Sequence, residues 1–329
     1  MMMCKTKLWS VLALCFALSI WKMYTSVCKG LSPSSKILGE WLVQDSLMKE
    51  EMCHHNRCTG LSSWDWFCDH FDASVNCLLT LENMDIPPEV LQWWLKLQRS
   101  QDGSQIQKII KKLFDLLQSP TAGVQDGAQC GTCAVVGNSG RLRGSKYGEK
   151  IDSHQFVMRI NTAQIAGFEE DVGTRTTHHF MYPESAVNLH SGIHLVLVPF
   201  KPLDLKWLVS ALSTGDIQQT YKRVKQFIKA DKSKVLILYP GFLKYIQDKW
   251  TKYHGRYPST GLIALIFALH TCKQVSAFGF GADSNGNWHH YWEDNRYAGA
   301  FRKTGIHDAT FELQLIERLA IEGKLSLYK

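Results

Sequence analysis

An α/β fold, with a mostly parallel sheet covered by helices on both faces, is what this sequence predicts, on three observations. From residue 130 onward, short continuous apolar runs alternate with helical stretches, the pattern of strands buried on both sides. Two of those runs, around residues 137 and 279–281, end in glycine, as strands do where the backbone approaches a ligand. The chain has 329 residues, 45% hydrophobic and 20% charged, with 11 Trp and 15 Phe. That is ample core material for one domain of catalytic size and too apolar for disorder.

The elements follow in chain order. Residues 8–20 (LWSVLALCFALSI) are apolar, and with Lys22 snorkelling the run extends over 8–24, a short signal-anchor helix suited to a thin Golgi bilayer. No A-x-A cleavage site follows, which favours an anchor over a cleaved signal peptide. Residues 1–7 then form a short tail and 25–50 a polar stem, leaving 51–329 as the main domain, and Lys5 and Lys7 on one side of the run against Lys22 and Lys29 on the other leave its orientation open. Its first part, 51–129, reads as a helical, Trp-rich layer ending in a linker at 119–129 (SPTAGVQDGAQ). Within that layer Ile106, Ile109, Ile110, Leu113, Phe114 and Leu117 share one helical face. In the α/β core, 130–329, strands are expected over 133–137, 156–160, 176–182, 193–200, 234–240 and 275–281, and helices fit over 205–212 and 260–270.

Lys+Arg 37 against Asp+Glu 30 gives a net charge of +7. The excess suits a small anionic partner and is too mild and dispersed for nucleic-acid binding. Ten cysteines divide into Cys4, Cys15 and Cys28 at the anchor and seven in the body: Cys53, Cys58, Cys68, Cys77, Cys130, Cys133 and Cys272. In an oxidising lumen seven allow three bridges and leave one thiol, with room for pairing to Cys28 or across a homodimer. The competing reading is zinc, held by Cys53, His54, His55 and Cys58 with Cys130 and Cys133 if the thiols stay reduced. No N-x-S/T sequon occurs.

Four core segments carry residues suited to chemistry. CAVVGNSGRLRG (133–144) brings Gly137, Asn138, Ser139 and Gly140 to a strand end, without the spacing of a dinucleotide or Walker loop. In GRYPSTGLIALIFALH (255–270), Ser259 or Thr260 can cap a helix whose first amides face the same sheet edge. GFGADSNGNWHHYWED (279–294) places His289 and His290 among aromatics, a cation for phosphate beside flat faces for a sugar or base. In KTGIHDATFELQLIERLA (303–320), Asp308 caps a helix and His307 precedes it. The positive helix end disfavours imidazolium and keeps His307 a neutral proton acceptor, which Glu312 could orient. Each segment alone also fits a plain turn, a capped core helix or a surface histidine. No D-x-D occurs, so a sugar-nucleotide reaction here would rest on His, Asn, Tyr and helix ends rather than on a divalent ion held by paired carboxylates.

In this order the segments resemble the four sialylmotifs of the animal sialyltransferases: 133–184 the large motif, 255–281 the small, HYWE at 290–293 the third and H-x4-E at 307–312 the very small. The strings CAVVGNSG, TTHHFMYPES, GRYPSTG, GNWHHYWE and AGAFRKTGIHDA resemble the branch acting on the galactose 3-OH of Galβ1-3GalNAc. The resemblance implies a single GT-A-like, metal-independent domain with a sheet of about seven strands, a CMP-N-acetylneuraminate donor and no cofactor. It implies an inverting single displacement, with His307 the general base on the acceptor hydroxyl and His290 the partner of the leaving CMP phosphate. Donor roles fall on Asn138, Asn161, Tyr182, Tyr221, Gly261 and Gly281, and acceptor roles on Gln98 and Tyr257. Bridges Cys133–Cys272 and Cys53–Cys58 are implied, while His55 stands where Cys130 would find its partner, leaving Cys68, or less favourably Cys77, to pair with it. The implied location is the Golgi membrane, type II, with residues 1–7 a cytoplasmic tail and 51–329 the lumenal catalytic domain, acting on O-linked glycoproteins or glycolipids. Two rivals remain at this level: a catalytically silent glycan or sugar-nucleotide binding protein on the same fold, and a zinc-stabilised interaction protein.

Overall fold

A computed structural model describes residues 66–98, 103, 105–117, 131–283, 286, 288–293 and 305–329, all within the compact unit Cys53–Lys329. The expected tail, anchor, stem and 119–129 linker lie outside the described residues. Among the described residues no helix is long and apolar enough to cross a membrane.

Seven strands form one sheet: β1 Thr132–Val136, β2 Phe156–Ile160, β3 His178–Met181, β4 His194–Leu197, β5 Val235–Ile237, β6 Gln274–Phe278 and β7 Ser326–Tyr328. Their order is β5-β4-β3-β2-β1-β6-β7 and every pairing is parallel. The described helices are α1 Trp66–His70, α2 Pro88–Leu97, α3 Ile106–Leu117, α4 Gly148–Asp152, α5 Glu169–Val172, α6 Pro202–Ala211, α7 Pro240–Tyr245, α8 Thr260–Thr271 and α9 Ala309–Ile321. The six expected strands are present: β2 as expected, β1 and β6 starting one residue earlier and ending sooner, and β3, β4 and β5 shorter at both ends. Pro199 and Pro240, which lack an N–H to give the ladder, set two of the limits, and Pro240 opens α7 instead. The three-residue β7 carries too short an apolar run to announce itself.

Helix α8 has apolar residues on every side because it lies in the centre of the molecule, against β1, β2, β3 and β6, buried from Thr260 to His270. The stripe expected on α3 is also real. Ile106, Ile110, Leu113, Phe114 and Leu117 are buried, with α6 packed against the helix, while Lys108, Lys111 and Lys112 stay exposed. At the β5 edge, Leu79 N donates to Ile237 O (2.8 Å) and Tyr239 N to Cys77 O (2.9 Å), so the N-terminal layer pairs with an otherwise open edge.

A disulfide joins Cys133 of β1 to Cys272 at the end of α8, with Cα atoms 6.1 Å apart. It removes Cys133 from the alternative zinc set. Cys68 is disulfide-bonded too, its partner lying outside the described residues together with Cys53, Cys58 and Cys130. Cys77 is the free thiol among the described residues, and burial raises its pKa.

Candidate active site

A parallel sheet ends all its strands on one edge, and the chain uses that edge. The connection after β1 runs to β2 on one side while β6 lies on the other, so the strand order reverses between β1 and β6, the kind of switch point at which such sheets bind ligands. There Gly137 N donates to Phe278 O (2.7 Å), and a Cβ on Gly137 would sit 2.3 Å from Gly279 O, so only glycine permits this approach. Above it the 288–293 loop lies on the 138–140 loop through Gly140 N to His289 O (2.8 Å) and Tyr291 N to Asn138 O (3.1 Å). That pairing carries His290, whose Nδ1 is 2.8 Å from Glu293 Oε1 and whose ring stacks on Trp292 at 4.5 Å. With Nδ1 held by the carboxylate, Nε2 is the nitrogen left for a ligand.

Along the same edge, Asn138 donates Nδ2 to Ile160 O (3.1 Å), and its buried Oδ1 has no hydrogen-bond partner among the described residues. Asn161 follows β2 in the left-handed region at φ 56°. Its Oδ1 accepts from Ser185 Oγ (2.9 Å) and its carbonyl engages His179 Nε2 (2.6 Å), which leaves its amide NH2 as a donor. Tyr182 follows β3 and packs on Phe200, ring centroids 5.7 Å apart. Its phenol interacts with that of Tyr221, which stands on the 218–224 turn and is 58% exposed. Gly261, in the first turn of α8, packs against Phe280 and Ile160, and Gly281 leaves β6 at φ +93°.

The second histidine sits on a separate pairing. Arg256 N donates to Ile306 O (2.7 Å), and Gly255 and His307 form a β-bridge. The His307 Nδ1 lies 2.8 Å from Tyr257 O, and the Tyr257 ring meets the imidazole edge-on at 5.0 Å. Burial lowers the His307 pKa, with the carbonyl contact pulling weakly the other way. The ring is therefore neutral at pH 7, and with Nδ1–H given to the carbonyl its Nε2 presents the lone pair. Asp308 caps α9 as expected, accepting from Phe311 N (3.0 Å), and Ser259 caps α8, accepting from Leu262 N (3.2 Å).

Glu312 departs from the expected role. Its oxygens hold Ser259 N (2.8 Å) and Ser259 Oγ (2.5 Å), so it locks the start of α8 to the first turn of α9, and the Tyr257 carbonyl takes over orientation of His307. Burial pushes the Glu312 carboxyl up to about 7. Gln98 and Tyr257, expected together, do meet: Gln98 Nε2 donates to Tyr257 OH (3.3 Å), and Gln98 Oε1 is buried without a partner among the described residues.

A family model for glycosyltransferase family 29 (sialyltransferase) matches residues 78–324. The chain belongs to this family. It is 54% identical over 279 residues, 84% of this chain and 80% of the relative, to the mouse CMP-N-acetylneuraminate-beta-galactosamide-alpha-2,3-sialyltransferase 2. It is 47% identical over 286 residues, 86% of this chain and 84% of the relative, to the human alpha-2,3-sialyltransferase 1 of the same description. Its fold is similar to the crystal structure of a mammalian sialyltransferase in complex with Gal-beta-1-3GalNAc-ortho-nitrophenol, with a TM-score of 0.75 and 43% identity, covering 84% of this chain and 97% of the other.

In this family 29 chain one site-edge cluster escaped the sequence. Lys201, Glu184 and Asp204 are buried, their side chains 7%, 0% and 0% exposed. Lys201 Nζ lies 3.2 Å from Glu184 Oε1 and 2.6 Å from Asp204 Oδ1. Burial pushes the Asp204 carboxyl up to about 7 against the pull of Lys201. Charged residues after a strand read as solvated loop, so nothing in the sequence signalled this cluster except Glu184's place at the end of TTHHFMYPES.

Proposed function

We propose that this chain transfers sialic acid from CMP-N-acetylneuraminate to the 3-OH of galactose in Galβ1-3GalNAc glycans, giving an α2,3 linkage in one inverting displacement. Family membership and the names of relatives near 50% identity support the reaction class. The disaccharide in the similar crystal structure supports the acceptor. The observation that carries the reading is the set of side chains on the loops at this end of the sheet: a buried histidine whose pKa is lowered, a second histidine tied to a carboxylate, and two buried amide oxygens, on Asn138 and Gln98, with no partner among the described residues.

In this scheme Gln98 and Tyr257 hold the acceptor beside His307. Nε2 of His307 takes the 3-OH proton as that oxygen attacks the anomeric carbon of the donor, and the bond from that carbon to the CMP phosphate oxygen breaks. A general base of this kind contributes about 10²–10⁴-fold. His290 and the phenols of Tyr182 and Tyr221 donate to the phosphate as its charge develops, while Asn138, Asn161 and the backbone at Gly261 and Gly281 hold the nucleotide. The absence of D-x-D supports a metal-independent route, since His, Tyr and amide donors then carry the leaving-group charge.

The apolar run at 8–24 and the Cys133–Cys272 bridge support a type II Golgi membrane protein whose catalytic domain faces the oxidising lumen. The reaction is tested by assaying the purified full-length chain with CMP-N-acetylneuraminate against Galβ1-3GalNAc, Galβ1-4GlcNAc and a ganglioside ending in Galβ1-3GalNAc. Transfer to the first and third is expected. Transfer confined to Galβ1-4GlcNAc overturns the acceptor assignment, and binding without turnover overturns the enzyme.

A further inference from the structure

The buried cluster at the sheet edge poses a question that packing does not answer. The Glu184 side chain is fully buried, its Oε2 has no hydrogen-bond partner among the described residues, and an ion pair of this kind is commonly no more stabilising than apolar side chains of the same volume. Its other oxygen, Oε1, does two jobs. It meets Lys201 Nζ at 3.2 Å, and it accepts a hydrogen bond from Thr220 Oγ1.

Thr220 immediately precedes Tyr221. The 218–224 turn closes on itself through Val224 N to Gln218 O (3.0 Å) and Thr220 N to Lys222 O (3.0 Å), with an outer face of exposed Gln218, Gln219, Lys222 and Arg223. Such a turn has little apolar surface with which to dock. It is fastened to the body by the Thr220 hydroxyl on Glu184, by the Tyr221 ring lying 5.2 Å from Lys201 Nζ, and by Trp207 Nε1 donating to Lys225 O (2.9 Å) just beyond it. Glu184 in turn lies two residues after Tyr182, whose phenol meets that of Tyr221.

We infer that Glu184 and Thr220 are positioning residues for the sugar-nucleotide donor: the buried carboxylate, neutralised by Lys201, clamps the 218–224 turn so that Tyr221 is delivered beside Tyr182 at the phosphate. The inference rests on the proposed donor role of Tyr221. Burial raises the pKa of both phenols, and the carboxylate charge adds to it, next in size for Tyr182 and after the Tyr182 phenol itself for Tyr221. Neither residue touches the donor in this account. Both act through Tyr221.

The test uses the full-length chain and four variants. Tyr221→Phe establishes whether that phenol serves the donor at all. Thr220→Val deletes the clamping hydroxyl at a surface turn, Thr220→Ser restores it, and the double variant Thr220→Val with Tyr221→Phe asks whether the two act as a unit. Thr220→Val is expected to raise KM for CMP-N-acetylneuraminate about tenfold, the effect of losing a hydrogen bond to a charged group. KM for the disaccharide and the thermal midpoint should be little changed, Thr220→Ser should behave as wild type, and the double variant should be no worse than Tyr221→Phe alone. A donor KM raised by Tyr221→Phe but unmoved by Thr220→Val overturns the clamp. Additive effects in the double variant also overturn it, since Thr220 would then act apart from Tyr221. A donor KM unmoved by Tyr221→Phe removes the donor role of that tyrosine, and the clamp falls with it. A Thr220→Val variant that loses thermal stability while both KM values stay put assigns the contact to folding alone and overturns the inference.

Discussion

Replacing Gly255 by alanine adds one methyl group at the point where the 255–257 segment supports His307. Gly255 sits at φ +80°, and a Cβ there would lie 2.8 Å from Asp308 N, 3.1 Å from His307 Cα and 3.1 Å from Ile306 O. The atoms it meets are all backbone, so no flexible side chain can swing away. Reaching an ordinary contact of 3.4 Å from the closest of them requires a displacement of about 0.6 Å. Applied to the 2.8 Å contact between His307 Nδ1 and Tyr257 O, a shift of that size carries the pair beyond good hydrogen-bond geometry. The left-handed backbone adds about 1–2 kcal/mol of strain for a non-glycine residue. Misplacement of a catalytic group by less than about 1 Å costs up to 10²-fold, or about 2.7 kcal/mol of barrier, so kcat should fall by about 10–100-fold. The assay is kcat at saturating donor and acceptor, read beside CMP affinity by calorimetry and the thermal midpoint. CMP affinity should hold, because Gly255 lies on the His307 side of the site. A kcat within twofold of wild type would refute the claim that this close approach positions the base.

Three further outcomes follow. Because burial lowers the His307 pKa, the active neutral form persists to lower pH, and kcat/KM should fall on the acid side with an apparent pKa below 6.5; a limb centred above 6.5 contradicts the assignment. His178, stacked on His194 at 4.7 Å and near Lys234, has its pKa lowered by burial to about 3, so the unfolded chain binds a proton that the native ring refuses. Stability from this group is complete above pH 6.5 and is lost as pH falls, by about 2 kcal/mol at pH 5, and urea titrations of wild type and His178→Leu should show the slope flattened in the variant. Full activity is expected in EDTA; complete loss on chelation, restored by manganese, would show that a divalent ion carries the leaving-group charge after all.

Much of the fold was legible because parallel strands are buried on both faces and read as unbroken apolar runs: residues 133–137 and 156–160 differ from β1 and β2 by at most a residue at each end. Helix α8 announced itself by Ser259 at its start and eleven largely apolar residues after it. The departures share a cause, namely contacts distant in sequence. Glu312 was read with His307, five residues before it, yet it pairs with Ser259, 53 residues away. Lys201 and Glu184, charged residues in loop-like sequence, become a buried pair only when β3 and β4 lie side by side. The π-helical turn Ile246–Thr251 and the left-handed Lys252 and Tyr253 were likewise hidden, since residues 240–251 carry an ordinary helical pattern. Of the site, the two histidines and their motifs were visible, whereas the Tyr257 carbonyl that orients one of them was not, because backbone acceptors leave no trace in sequence.

The account stands most directly on one variant, His307→Ala, measured for sialyl transfer to Galβ1-3GalNAc and for CMP binding in the same preparation. Removal of the base should lower kcat by about 10³-fold while the CMP dissociation constant stays within about threefold, because in the proposed scheme the imidazole serves the acceptor hydroxyl and not the nucleotide. Turnover within tenfold of wild type, with the fold intact, would contradict the assignment of His307 and the mechanism built on it.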